Sequence, residues 1–199
     1  MVDLPDRSTG LARPIVARGA GVVVQLVSIA LVTRLSGAVG IGHFLLGLAW
    51  IAIASSVLGR GSPAFVLREL SDPANQRPAV ARAAQLGALR RVAGAAAALL
   101  LATLVVAVAI PKGASAVWDV RLAFAAVLGG ALLASTRINS SVLKALGRPS
   151  LGLLAEFAFA PSVLAVVAAS VLVTGAHSSV EAMLAVYVGG LALAAAASS

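Results

Sequence analysis

The chain has 199 residues, 60% of them hydrophobic and 11% charged, with a mean hydropathy of +1.03. A water-soluble domain of this size lacks the interior to hide so much apolar surface, so the bilayer is the solvent. Cysteine is absent, which removes disulfides, thiolate nucleophiles and cysteine metal sites. The net charge of +8 is read by its distribution along the spans, not as a sign of nucleic acid.

Residues 1–13 are polar, with Asp3, Asp6, Arg7 and Arg13, and read as a cytoplasmic tail. Pro14 opens the first helix, and an uncharged run from Gly19 to Thr33 lies between Arg18 and Arg34. Because five further spans follow, this is an uncleaved first span over about 14–35 rather than a signal peptide. The second span covers about 41–60. Its nineteen residues from Ile41 to Gly59 carry only His43 as a titratable group and reach roughly 28 Å. Arg60-Gly61-Ser62-Pro63 then interrupts the helix, with Ser62 as cap and Pro63 in the first position of a short helix, AFVLREL, at the membrane surface.

A basic loop follows, turning at Asp72-Pro73, and Pro78 starts a helix that carries Arg82, Arg90 and Arg91 into the third span, about 90–110. Pro111 and Lys112 close that span, and Trp118 and Asp119 mark an interface. Only fifteen uncharged residues separate Arg121 from Arg137, roughly 22 Å of helix and short of the ~30 Å core. The fourth span, about 119–146, is therefore expected to continue past Arg137 to a turn at Gly147-Arg148-Pro149, leaving Arg137 inside the membrane. The fifth, about 150–174, contains Glu156 and a kink at Pro161; the sixth, about 180–199, is uncharged after Glu181 and has no closing basic anchor, so the chain reads as cut. His43 and His177 sit near span ends and read as solvated residues rather than ligands.

Twelve of the fifteen cations fall on one side of this arrangement and Arg34, Lys112 and Arg121 on the other, which places both termini in the cytoplasm. The nineteen glycines, including pairs at 129–130 and 189–190, suit close helix approach, as would any alanine-rich membrane composition.

No phosphate loop, HExxH motif, nucleophile elbow or carboxylate cluster is present, so neither an enzyme nor a cofactor or metal is expected. With a turn centred near Gly147–Pro149, Arg137 stands about ten residues before it and Glu156 about eight after it, roughly 15 and 12 Å deep on antiparallel helices, so the two can meet. Such a pair either lines a substrate path or holds two spans together. Arg137, Ser140, Ser141 and Lys144 form one helical stripe, and Arg18, Gln25 and Ser28 another. The candidate cavity residues are Arg18, Gln25, Arg137, Ser141 and Glu156, which would offer guanidinium groups to an anion such as a diphosphate. Snorkelling to headgroups is the competing role for Arg18 and Lys144.

Two stretches, residues 19–70 and 139–161, resemble the oligosaccharide-lipid flippases of polysaccharide biosynthesis, in the MATE-like exporter superfamily. The resemblance is carried by Arg34-Leu35-Ser36-Gly37 after the first helix, the break at Gly59–Pro63, Arg68-Glu69, and the basic turn followed by Glu156 and Pro161. It implies an all-α polytopic lobe of six transmembrane helices in the cytoplasmic (inner) membrane. That lobe would pair with a second one and move a lipid-linked oligosaccharide diphosphate by alternating access, among anionic membrane lipids. The alternatives are a six-helix exporter of small molecules and a non-transporting membrane fragment.

Overall fold

The computed structural model describes residues 7–72, 77–109, 120–175 and 178–198, and every regular element in them is a helix. These are α1 (Arg7–Leu58), α2 (Ser62–Ser71), α3 (Pro78–Ala109), α4 (Val120–Ala145), α5 (Pro149–Phe157), α6 (Phe159–Thr174) and α7 (Val180–Ala197). α1, α3, α4 and α7 are each long and apolar enough to cross a membrane, and the bent pair α5–α6 makes a fifth candidate. Val22, Val23, Leu26, Leu101, Leu104 and Val105 are among the many large apolar side chains exposed along these helices, a density that suits contact with lipid. The expected features at Pro73, Pro111, Lys112, Trp118, Asp119 and His177 lie outside the described residues.

In place of two separate helices over 14–35 and 41–60, the chain forms one 52-residue helical run. Straight, it would measure about 78 Å, more than twice a hydrocarbon core. It is broken at Gly37, whose φ of 67° and ψ of −174° suit only a residue without Cβ. The neighbours of each half show that the direction reverses there. Gly21 backs onto Phe157 and Ser28 reaches Pro161, so residues before Gly37 run alongside α5 and α6. Gly40 faces Val180 and Gly47 faces Leu184, so residues after Gly37 run alongside α7, whose Gly190 returns to Ala160. The helix also begins at Arg7 and takes Pro14 inside it, not at its opening; one missing N–H is tolerated there.

α4 is the central helix. On one side, Val127, Ala134, Ile138 and Val142 pack against Val66 and Leu70 of α2 and Ala81, Ala88, Val92 and Ala96 of α3. On the other, Gly129 meets Ile51 and Val188, joining α4 to the second cluster, which holds Val32, Phe44, Leu164, Met183 and Leu191. α2 therefore turns one face inward, and Phe65, on its outer side, carries the Arg91 guanidinium 5.1 Å from its ring centroid. Ser62 does not cap α2: it is the first helical residue and buried, the left-handed Gly61 is the cap, and the Ser62 N–H donates to Gly59 O.

Pro78 opens α3, and α4 continues past Arg137, both as the sequence predicts. The bend of the fifth span lies between Phe157 and Phe159, at 43°, rather than at Pro161 itself. Proline has no N–H, so the carbonyl four residues earlier, Phe157 O, loses its helical donor and the helix yields there. Ser28 Oγ lies 2.7 Å from Pro161 O and also from its own Val24 O, tying α1 to the start of α6. Ser179 caps α7, accepting from the Ala182 N–H at 3.2 Å.

Candidate functional site

The site is built by the turn between α4 and α5. Gly147, with φ of 76°, ends α4; its N–H donates to Lys144 O and the Arg148 N–H to Leu143 O, the paired closure that satisfies the last carbonyls of a helix. Pro149 then starts α5 at once, since the first turn of a helix does not use its missing donor. So tight a reversal makes α4 and α5 antiparallel neighbours, with Gly152 backing onto the Ser140 carbonyl.

Across this hairpin Glu156 meets three side chains of α4. Its Oε2 accepts from Lys144 Nζ at 2.9 Å and from Ser140 Oγ at 3.1 Å, and its Oε1 lies 3.7 Å from Arg137 Nε. Arg137 Nη1 also donates to Ser55 Oγ on α1 at 3.2 Å. Glu156 is the most enclosed of the three charges, with 13% of its side chain accessible against 27% for Lys144 and 36% for Arg137. The spacing i, i+3, i+7 along α4 produces this grouping, because those positions share one helical face.

The expected meeting of Arg137 and Glu156 is present, but Lys144 is the nearer cation, so its side chain does not simply snorkel away. Ser141 is buried and turned back, donating to Arg137 O at 2.9 Å, so it does not face Glu156. Arg18 and Gln25 are exposed, whereas Ser28 of the same stripe is buried against α6; these three do not form one lining. The Arg18 guanidinium lies 5.7 Å from the ring centroid of Phe157, the residue after Glu156. Among the described residues no three His, Cys, Asp or Glu side chains converge to hold a metal.

Three participants escaped sequence reasoning. Ser55 is buried on α1 and anchors Arg137. Asn139, buried on α4, accepts from Gln85 Nε2 at 2.9 Å and donates to Ala195 O at 3.0 Å, linking α3, α4 and α7. The available signal was an amide amid apolar residues in a span, which in a membrane needs a partner.

No family model, no curated protein and no solved structure matches this chain. The functional reading rests on its own residues. Two cations and one carboxylate sum to +1 inside an apolar helix bundle, an arrangement suited to an additional anion. Between the α4–α5 turn, α6 and the end of α7 lies an open groove of about 630 Å³, lined by Leu143, Leu151, Leu154, Phe159 and Ala197 with Arg148 among them. Its walls are mostly apolar, and Arg148 is the one charged residue among those that line it.

Proposed function

We propose that this chain is a transporter lobe that moves a lipid-diphosphate-linked oligosaccharide across the cytoplasmic membrane, acting with a second lobe. In this reading the chain crosses the membrane six times: the two halves of α1, then α3, α4, the bent pair α5–α6, and α7. The cation distribution sets both termini in the cytoplasm, and Gly37 turns the chain at the opposite face.

The single observation that carries the reading is the cationic excess at Arg137, Lys144 and Glu156 across the α4–α5 hairpin, with Lys144 in the last turn of α4. Ionisable side chains on membrane-spanning helices serve a pathway or a partner, and arginine matches the oxygens of a diphosphate. A cation exporter would instead need excess carboxylates there. The test is genetic: fused to a second six-helix lobe, the chain should restore surface polysaccharide to a flippase-deficient host, and the Arg137→Gln fusion should not. Restoration by both fusions alike would overturn the reading.

A further inference from the structure

We infer that Glu156 is an internal stand-in for the ligand's phosphate, displaced from Lys144 and Arg137 when a phosphate-bearing anion binds. The inference takes its ligand class from the transport reading above, but it makes a separate claim about how the site is kept.

The geometry distinguishes the two cations. Lys144 makes a close charge-assisted hydrogen bond with Glu156 at 2.9 Å, whereas Arg137 stands off at 3.7 Å and directs Nη1 to Ser55 instead. Arg137 is thus held in place from two sides, by Ser55 on α1 and Glu156 on α5, while over a third of its side chain stays accessible. A guanidinium has five donors in a planar fork, more than these two contacts use. Arg137 is therefore the point where an incoming phosphate first engages.

Glu156 is bound in a way that lets it leave. Its partners are a flexible lysine, a serine hydroxyl and a distant guanidinium, all donors that a phosphate oxygen satisfies equally well. Without the carboxylate, two cations would share one site at +2 in a medium that screens poorly; with it, the cluster is held at +1. A ligand of charge −2 or more exceeds the single charge of Glu156 and wins the two cations by Coulomb attraction. Because Arg137 touches α1 and Glu156 sits on α5, displacement loosens α5 from α4 and leaves the α4–α1 contact intact.

The experiment is titration calorimetry on the full chain in detergent, at fixed ionic strength, with inorganic pyrophosphate and separately with farnesyl diphosphate. Removing a competing charged hydrogen-bond partner by Glu156→Gln should tighten pyrophosphate binding by roughly tenfold or more. Lys144→Gln/Glu156→Gln should bind more tightly than Lys144→Gln alone, since the two differ only in the competing carboxylate, and this comparison covers a Glu156→Gln protein that folds poorly. Pyrophosphate should also raise the melting temperature of Glu156→Gln more than that of the native chain. Equal or weaker binding by each of these variants than by its counterpart that keeps Glu156 would overturn the stand-in role, whatever the transport result. Tighter binding of farnesyl diphosphate than of pyrophosphate identifies the anion as lipid-borne. Equal affinities with the same Glu156→Gln gain identify a soluble phosphate, leaving the stand-in role in place and removing the lipid-transport reading.

Discussion

Lys144 Nζ lies 2.9 Å from Glu156 Oε2, so the carboxylate keeps a cation even if Arg137 is taken away. That relationship makes the cluster asymmetric. Loss of Arg137 leaves a neutral lysine–glutamate pair, whereas loss of Glu156 leaves two cations facing each other.

Glu156→Gln is accordingly expected to cost about 1–3 kcal/mol, because it leaves Lys144 and Arg137 without their carboxylate while both keep partial access to their surroundings. Arg137→Gln should cost less, within about 1 kcal/mol, because its own exposure already limits what the pair contributes. Combining Lys144→Gln with Glu156→Gln should be milder than the sum of the single losses, with a coupling of about 0.5–3 kcal/mol. Thermal and denaturant unfolding in detergent measure all four variants. Equal losses for Arg137→Gln and Glu156→Gln would mean that Lys144 does not hold the carboxylate.

Asn139→Leu removes the shared partner of Gln85 and the Ala195 carbonyl. Asn139 Nδ2 also donates to Ser198 Oγ at 3.2 Å. Side-chain hydrogen bonds between membrane helices are worth about 0.6 kcal/mol on average and up to about 1.7, so the three together should lower stability by about 1–3 kcal/mol. The Gln85→Leu/Asn139→Leu double variant should recover part of that loss, since the Gln85 amide is no longer left without a partner. Unfolding monitored by a reporter on α3 checks this, because α3 is held chiefly through α2 and α4.

Two glycines should respond with opposite sign. A Cβ on Gly130 would meet Ala54 Cβ at 2.5 Å and Ser55 N at 2.9 Å, so Gly130→Ala pushes α4 from α1 and should cost about 1–3 kcal/mol. The same substitution at Gly94, where nothing lies within 4 Å, should be neutral or stabilising by up to about 1 kcal/mol through helix propensity. Because Gly130 faces Ser55, Gly130→Ala should also weaken the Arg137 contact, measurable as reduced pyrophosphate binding.

Helix type and position were largely legible in the sequence, because bilayer length and charge placement are strong constraints. The short uncharged run before Arg137 forced α4 to continue, and Gly147 with Pro149 fixed the hairpin that brings Glu156 back to it. Local signals failed where tertiary contacts decide. Nothing in LSGAVG shows that helix resumes directly after Gly37, and the Ser62 cap lost to Gly61 because Ser62 is buried. The stripe rule correctly grouped Arg137, Ser140 and Lys144 but swept in Ser141, which stands at the margin of that face and whose hydroxyl bonds to the backbone carbonyl of Arg137. Ser55 was invisible because its role depends on which helix α4 lies against.

Reporter fusions test the topology. Positions near 38, 115 and 177 should be external and those near 76 and 148 cytoplasmic. An external location for position 76, within the basic stretch, would reverse the orientation drawn from the cations.

Translocation itself is the most direct measurement. A fluorescent polyprenyl-diphosphate oligosaccharide is followed in proteoliposomes holding this protein joined to a second six-helix lobe. The expected result is protein-dependent flipping that Arg137→Gln abolishes while its melting temperature stays near the native value. Undiminished flipping by well-folded Arg137→Gln, or flipping of an uncharged lipid-linked oligosaccharide at the same rate, would contradict a diphosphate transporter organised around Arg137, Lys144 and Glu156.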